Sequence, residues 1–240
     1  MEFDAVLIAP RRAASIAKGL WHDKTINTEL DACLAACPDK LALTAVQAEG
    51  GAVKRFTYRE LAVMADRVAV GLYRLGVRKN DIVACQLPNW WQFTITYLAC
   101  SRIGAVMNPL MHIFRERELS FMLKHGEAKV LIAPKVFRGF DFEAMATPAW
   151  ESAADAASIL QSNRSGPDDV TQLIYTSGTT GEPKGVMHTA NTVMANIFPY
   201  AQRLHLAADD VVLMASPMAH QTGFMYGLMM PIMLRQSVVL

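Results

Sequence analysis

The 240 residues carry 23 Lys and Arg against 22 Asp and Glu, a net charge of +1, so no charge excess steers the chain toward nucleic acid or an anionic membrane. Hydrophobic residues make up 52% and charged residues 19%, the composition of a chain that buries a core rather than one that stays disordered. The four cysteines, Cys33, Cys37, Cys85 and Cys100, include no C-x-x-C pair and no histidine at zinc spacing, which excludes a disulfide scaffold and a zinc site and fits a reducing compartment.

Met1-Glu2-Phe3-Asp4 is acidic where a signal peptide is basic, and the apolar run Ala5–Ala9 is too short for its hydrophobic region, so a cytoplasmic protein is expected. Thr28-Glu29-Leu30-Asp31 reads as a capping box opening a short helix that Pro38 ends. Thr57-Tyr58-Arg59-Glu60 is a second box. It is followed by Leu61, Met64, Ala65, Val68, Leu72 and Leu75 at helical spacing, with Gly76 as the stop. Asp81–Leu87 reads as a buried strand, Pro88-Asn89 as a turn and Trp90–Ile103 as a helix, with the Trp90-Trp91 pair taken as core. A short strand at Ala105–Met107, a turn at Asn108-Pro109, a helix over Glu116–Lys124 and a strand at Val130–Ala133 follow. Strands alternating with helices indicate an α/β fold with parallel strands. From about Asp141 to Asp169 the periodicity fades, which marks a surface connection or subdomain boundary.

Val211–Leu234 is free of charged residues and long enough to cross a bilayer, but Ser216, Pro217, His220, Gln221, Thr222 and Gly223 would fall at its centre, where polar groups are costly. It reads better as strand, polar loop and buried helix. Six of the chain's 14 methionines lie in this stretch: Met214, Met218, Met225, Met229, Met230 and Met233. Core packing is the expected role for most, with adaptation to an aliphatic ligand as a second use.

The chemistry concentrates after the buried strand Val170–Tyr175. Thr176-Ser177-Gly178-Thr179-Thr180-Gly181-Glu182-Pro183-Lys184-Gly185 packs hydroxyls, glycines and a lysine into ten residues. Glycines let backbone N–H groups approach a ligand, successive turn amides form an anion nest, and Lys184 adds a point charge for a phosphate oxygen. The pattern is that of a polyphosphate cradle. It is not a Walker A loop, because Pro183 precedes Lys184 and Gly185 follows it.

Tyr175–Gly185 resembles the signature loop of the adenylate-forming superfamily, which comprises acyl-CoA synthetases, peptide-synthetase adenylation domains and beetle luciferases. Ser216–Phe224 resembles that family's next core motif, and Phe56–Leu61 an N-terminal one, so the likeness runs from about Thr28 to Leu240. The chain is most similar to acyl-CoA ligases for medium-chain or alicyclic acids, and His220–Phe224 resembles cyclohexanecarboxylate–CoA ligases. Two departures touch the acyl side: Ala190 stands where relatives often carry a second histidine after His188, and Gln221 where many carry a histidine or aromatic.

The resemblance implies the N-terminal part of the adenylate-forming fold over residues 1–240, with layered parallel sheets and packed helices and without the small C-terminal domain. It implies an ATP-dependent carboxylic acid–CoA ligase that uses ATP, Mg²⁺ and coenzyme A, with the 240-residue piece inactive alone. Thr176, Ser177, Gly178, Thr179, Thr180, Gly181 and Lys184 would hold the β- and γ-phosphates, Thr176 would ligate Mg²⁺, and His220 would border the acyl and adenylate pocket. A non-catalytic acyl- or nucleotide-binding module and an amino-acid-activating domain are the alternatives. No aspartate lies between Val211 and Leu234 to meet an ammonium, which favours an apolar acid. His22, His112, His125, His188 and His205 are read as structural or surface residues. The oligomeric state stays open.

Overall fold

The computed structural model describes residues 8–48, 50–137, 140–141, 156–176 and 183–240. Helix α1 (Ile8–Ala17) buries none of its side chains, and Arg12 ties it to the body by pairing with Asp23 and Asp168. Helix α2 (Ile26–Ala36) starts before the expected box, because Ile26, Leu30 and Cys33 must face the core from one helix. Its cap is Thr25, whose hydroxyl accepts the Thr28 N–H at 3.2 Å while Thr28 Oγ1 accepts the Thr25 N–H at 3.0 Å. Strands β1 (Leu41–Val46) and β2 (Val53–Thr57) form a hairpin leading into α3 (Tyr58–Arg74), which is capped by Thr57 and Glu60 as the sequence indicates. Gly76, at φ +91°, ends α3. The Val77 N–H reaches the Leu72 carbonyl and the Gly76 N–H the Tyr73 carbonyl, both at 3.0 Å.

Strand β3 (Ile82–Cys85), helix α4 (Trp91–Arg102), strand β4 (Val106–Pro109), helix α5 (Glu116–His125) and strand β5 (Ala128–Ile132) form the α/β repeat. Asn108 and Pro109, expected in a turn, belong to β4. Pro109 stands opposite Cys85 at the strand's end, where the next amide, Leu110, makes the bond to the Cys85 carbonyl at 2.9 Å. A two-residue hairpin, β6 (Val136–Phe137) with β7 (Phe140–Asp141), and helix α6 (Ala156–Ser162) lie about the region of faded periodicity. The remaining elements are β8 (Val170–Thr176), β9 (Lys184–Thr189), α7 (Ala190–Met194), α8 (Ile197–Arg203), β10 (Val211–Leu213), α9 (Gln221–Gly223), a π-helix over Phe224–Met229, α10 (Met230–Leu234) and β11 (Ser237–Val239).

Two main sheets result, in the orders β5-β3-β4-β8-β9 and β10-β11-β1-β2. Strands β3, β4, β5 and β8 run parallel, as do β10, β11 and β1. The expectation of parallel sheets needs one correction: each sheet ends in an antiparallel strand, β9 against β8 and β2 against β1. The connections 177–183 and 47–52 are too short for a parallel crossover, which takes a dozen residues or more, so both must fold back as hairpins.

The largest core cluster joins α2, α3, α4 and the π-helix. Leu30, Phe93, Tyr97, Phe224 and Met229 are fully inaccessible within it. Five of the six clustered methionines are buried there, and Met214 packs against it. The guanidinium of Arg102 is 2% exposed. It donates to Asp66 at 2.9 Å, Asp31 at 3.2 Å and Asn27 at 3.3 Å, cross-linking α2, α3 and α4. Trp90 and Trp91, expected in the core, are only half-buried. Trp91 lies against Phe56 beneath the Lys54 ammonium, 4.3 Å from its ring, and both tryptophans line two cavities of about 480 and 340 Å³. Among the described residues no helix is long and apolar enough to cross a membrane.

Candidate active site

Strand β8 is buried from Val170 to Ile174, half-buried at Tyr175 and exposed at Thr176, so it delivers its last residue to the surface. Its antiparallel partner begins at Lys184. Thr176 stands opposite Lys184 on the last rung of the ladder, with the Thr176 hydroxyl directed at the Lys184 carbonyl at 3.5 Å. These two expected site residues are therefore brought together as the neck of a loop. Ser177, Gly178, Thr179, Thr180 and Gly181 lie outside the described residues. Lys184 is exposed.

Behind the neck, Tyr175 occupies a slot between α5 and β9. A Cβ on Gly126 would lie 2.9 Å from the Met122 carbonyl and 3.3 Å from the Tyr175 hydroxyl. One on Gly185, the residue opposite Tyr175 in the ladder, would lie 3.1 Å from Leu173 and 3.6 Å from the Tyr175 ring. Burial raises the Tyr175 pKa, so its hydroxyl stays a neutral donor.

His220 belongs to a separate segment anchored by Asn89, the residue of the expected Pro88-Asn89 turn after β3. Asn89 Nδ2 donates to the carbonyls of Ser216 at 2.8 Å and Met214 at 3.2 Å, and its Oδ1 accepts the Met218 N–H at 2.8 Å. Because β3, β4 and β8 are parallel neighbours, Asn89 and Thr176 follow strands that end at the same carboxyl edge, two strand spacings from one another in the sheet. That edge is where open α/β sheets bind ligands. His220 is exposed and caps α9. Its Nδ1 accepts the Thr222 N–H at 3.3 Å, so the neutral ring carries its proton on Nε2 and offers a donor to solvent. Beside it, both amide atoms of Gln221 are buried without a hydrogen bond. Gly223 holds the segment close, since a Cβ there would sit 2.2 Å from the Pro217 carbonyl oxygen.

In the sequence Asn89 reads as a turn residue and the π-helix as part of a buried helix; a Pro-Asn turn gives no sign of side-chain bonds to a segment more than 120 residues away. Of the other histidines, His22, His125 and His205 are exposed and His112 and His188 half-buried. His188 lies near Thr192 Oγ1 at 3.4 Å, and its pKa is lowered by burial. Burial pushes the thiols of Cys33 and Cys85 up to about 12 and raises Cys100 as well, so these three give no reactive thiolate. Among the described residues no group of three or more His, Cys, Asp or Glu converges to hold a metal.

The AMP-binding enzyme family matches residues 30–240, the greater part of the chain. The chain belongs to the AMP-binding enzyme family. Among curated proteins, the medium-chain fatty-acid–CoA ligase of Escherichia coli K12 is 34% identical over 96% of this chain and 44% of its own length. The 2-hydroxy-7-methoxy-5-methyl-1-naphthoate–CoA ligase of Streptomyces carzinostaticus is 31% identical over 85% of this chain and 41% of its own. Among solved structures, apo MbtA of Mycobacterium smegmatis superposes with a TM-score of 0.76 at 26% identity, over 100% of this chain and 47% of that one. The fold is thus that of the AMP-binding enzymes' N-terminal region, and the chain spans less than half the length of the curated relatives it matches.

Proposed function

We propose that this chain is the nucleotide- and acyl-binding N-terminal part of an ATP-dependent carboxylic acid–CoA ligase acting on a medium-chain or alicyclic acid. One observation carries the reading: a hydroxyl-, glycine- and lysine-bearing stretch follows β8 at the carboxyl edge of the parallel strands, from a neck formed by Thr176 and Lys184, in a member of the AMP-binding family. In the reaction, an acid oxygen forms a bond to the α-phosphorus of ATP, the α–β phosphoanhydride breaks, and pyrophosphate leaves. The thiol of coenzyme A then attacks the acyl carbon and expels AMP.

The first step needs charge neutralisation and alignment rather than a protein nucleophile, which fits a site built of Thr176, Lys184 and His220. Lys184 and the loop hydroxyls and amides would hold the β- and γ-phosphates. The exposed Thr176 hydroxyl suits an ion that arrives on the phosphates and takes few protein ligands, as Mg²⁺ does. Mg²⁺ would supply further neutralisation of the departing pyrophosphate. His220, with Nε2–H outward, would donate to the carboxylate or adenylate.

The test is acid-dependent ATP–pyrophosphate exchange by the full-length protein across plain aliphatic, alicyclic, hydroxylated and amino acids. Exchange with aliphatic or alicyclic acids, followed by thioester formation with coenzyme A, is the expected outcome. Exchange with amino acids alone would point to an adenylation domain, and ATP binding without any exchange to a non-catalytic module; either result overturns the ligase reading.

A further inference from the structure

The contact between α5 and the neck of the loop is built around one histidine. His125, the last residue of α5 and exposed, has its Nδ1 2.9 Å from the Tyr175 hydroxyl. The ring of Phe121 stacks on it at 5.3 Å and 18°, and the edge of Tyr175 meets both rings. The same hydroxyl donates to the Met122 carbonyl at 3.3 Å. A phenol has one proton. Both contacts are satisfied together when Tyr175 donates to Met122 and His125 donates from Nδ1, so the histidine is the partner that completes the arrangement. Glycines at 126 and 185 leave room for this ring on both sides. Tyr175 is covalently next to Thr176, and its ladder partner Gly185 is next to Lys184. Whatever fixes the phenol therefore fixes the two residues of the neck.

We propose that His125 is a positioning residue for nucleotide binding: through the Tyr175 hydroxyl it sets the direction in which Thr176 and Lys184 leave the sheet. This rests on the ATP reading above but not on the identity of the acid.

The experiment measures MgATP affinity by calorimetry, with KM and kcat from pyrophosphate exchange and Tm alongside, for the full-length wild type and for His125→Ala, His125→Asn, Tyr175→Phe and the double variant His125→Ala/Tyr175→Phe. His125→Ala and Tyr175→Phe should each raise Kd and KM for MgATP about three- to tenfold, the range one hydrogen bond covers, with the KM for the acid and the Tm unchanged. Asn places an amide N–H where Nδ1 stands and should restore most of the affinity. The double variant should be no worse than either single one, because both act through one contact. Unchanged MgATP affinity in the single variants, multiplying losses in the double, or a fall in Tm without a change in affinity would each overturn the role of His125. A wild type that binds no MgATP would overturn the nucleotide reading, and this proposal with it.

Discussion

Lys184 illustrates how much a single side chain is asked to do at this site. It is exposed and stands opposite Thr176, so removing it leaves the sheet intact while deleting a charge from the neck. A charged hydrogen bond contributes about 1.5–3 kcal/mol, so Lys184→Ala in the full-length protein should lower kcat/KM for ATP roughly 10- to 100-fold. Steady-state exchange kinetics with ATP varied checks this, and an unchanged ATP dependence would mean that the loop does not meet phosphate. His188 works in the opposite sense. Burial lowers its pKa below 6.5, so the unfolded chain takes up a proton at a higher pH than the folded one. The stability this neutral ring provides is whole above pH 6.5 and is lost as the pH falls from there through the folded pKa. His188→Gln should therefore flatten the acid limb of stability; urea midpoints measured from roughly pH 5 to 7.5 would show it.

Among elements, the helix after His220 is the most demanding. Gly223 lies so close to Pro217 that an added Cβ would be 2.2 Å from its carbonyl oxygen and 2.8 Å from the Met218 amide, both backbone atoms that cannot swing aside. Gly223→Ala should cost about 2 kcal/mol or more, seen as a lower Tm, whereas Gly166→Ala, whose Cβ would meet its nearest neighbour at 3.4 Å, should be close to neutral. Elements with a local signal were legible. The Thr57–Glu60 box, the Gly76 stop and the buried β8 all show in neighbouring residues. What was not legible depends on distant partners. The start of α2 is decided by which face meets the core, the strand role of Pro109 by its place opposite Cys85, and the exposure of Trp90 and Trp91 by the cavities beside them. The site divides the same way. Thr176 and Lys184 are linked by a short hairpin that the sequence contains, but Asn89 gains its part only when β3 and the 214–218 segment meet.

At the scale of the whole molecule, the 240 residues hold the Thr176–Lys184 neck and the His220 segment yet span less than half of the relatives' length. The purified 240-residue chain should therefore show no acid-dependent pyrophosphate exchange under conditions where the full-length protein does. Turnover by the short chain would show that these residues suffice for adenylation. The sheets also have unequal edges. β10 lies at the rim of its sheet with Val211 and Leu213 exposed to 62% and 75%, an apolar border that invites further pairing, so the short chain should be the less soluble of the two.

The pairing of β1 with β11 sets a timetable for synthesis. Leu43 lies opposite Val238, so β1 leaves the ribosome with its hairpin partner at hand but with its central neighbour still untranslated. At the usual 5–20 residues per second, about 10–40 s pass before that neighbour is made. For that interval β1 and β2 can exist only as a two-stranded ribbon, which is marginal in water. The nascent chain must keep this ribbon from pairing elsewhere until the strand that closes the sheet arrives.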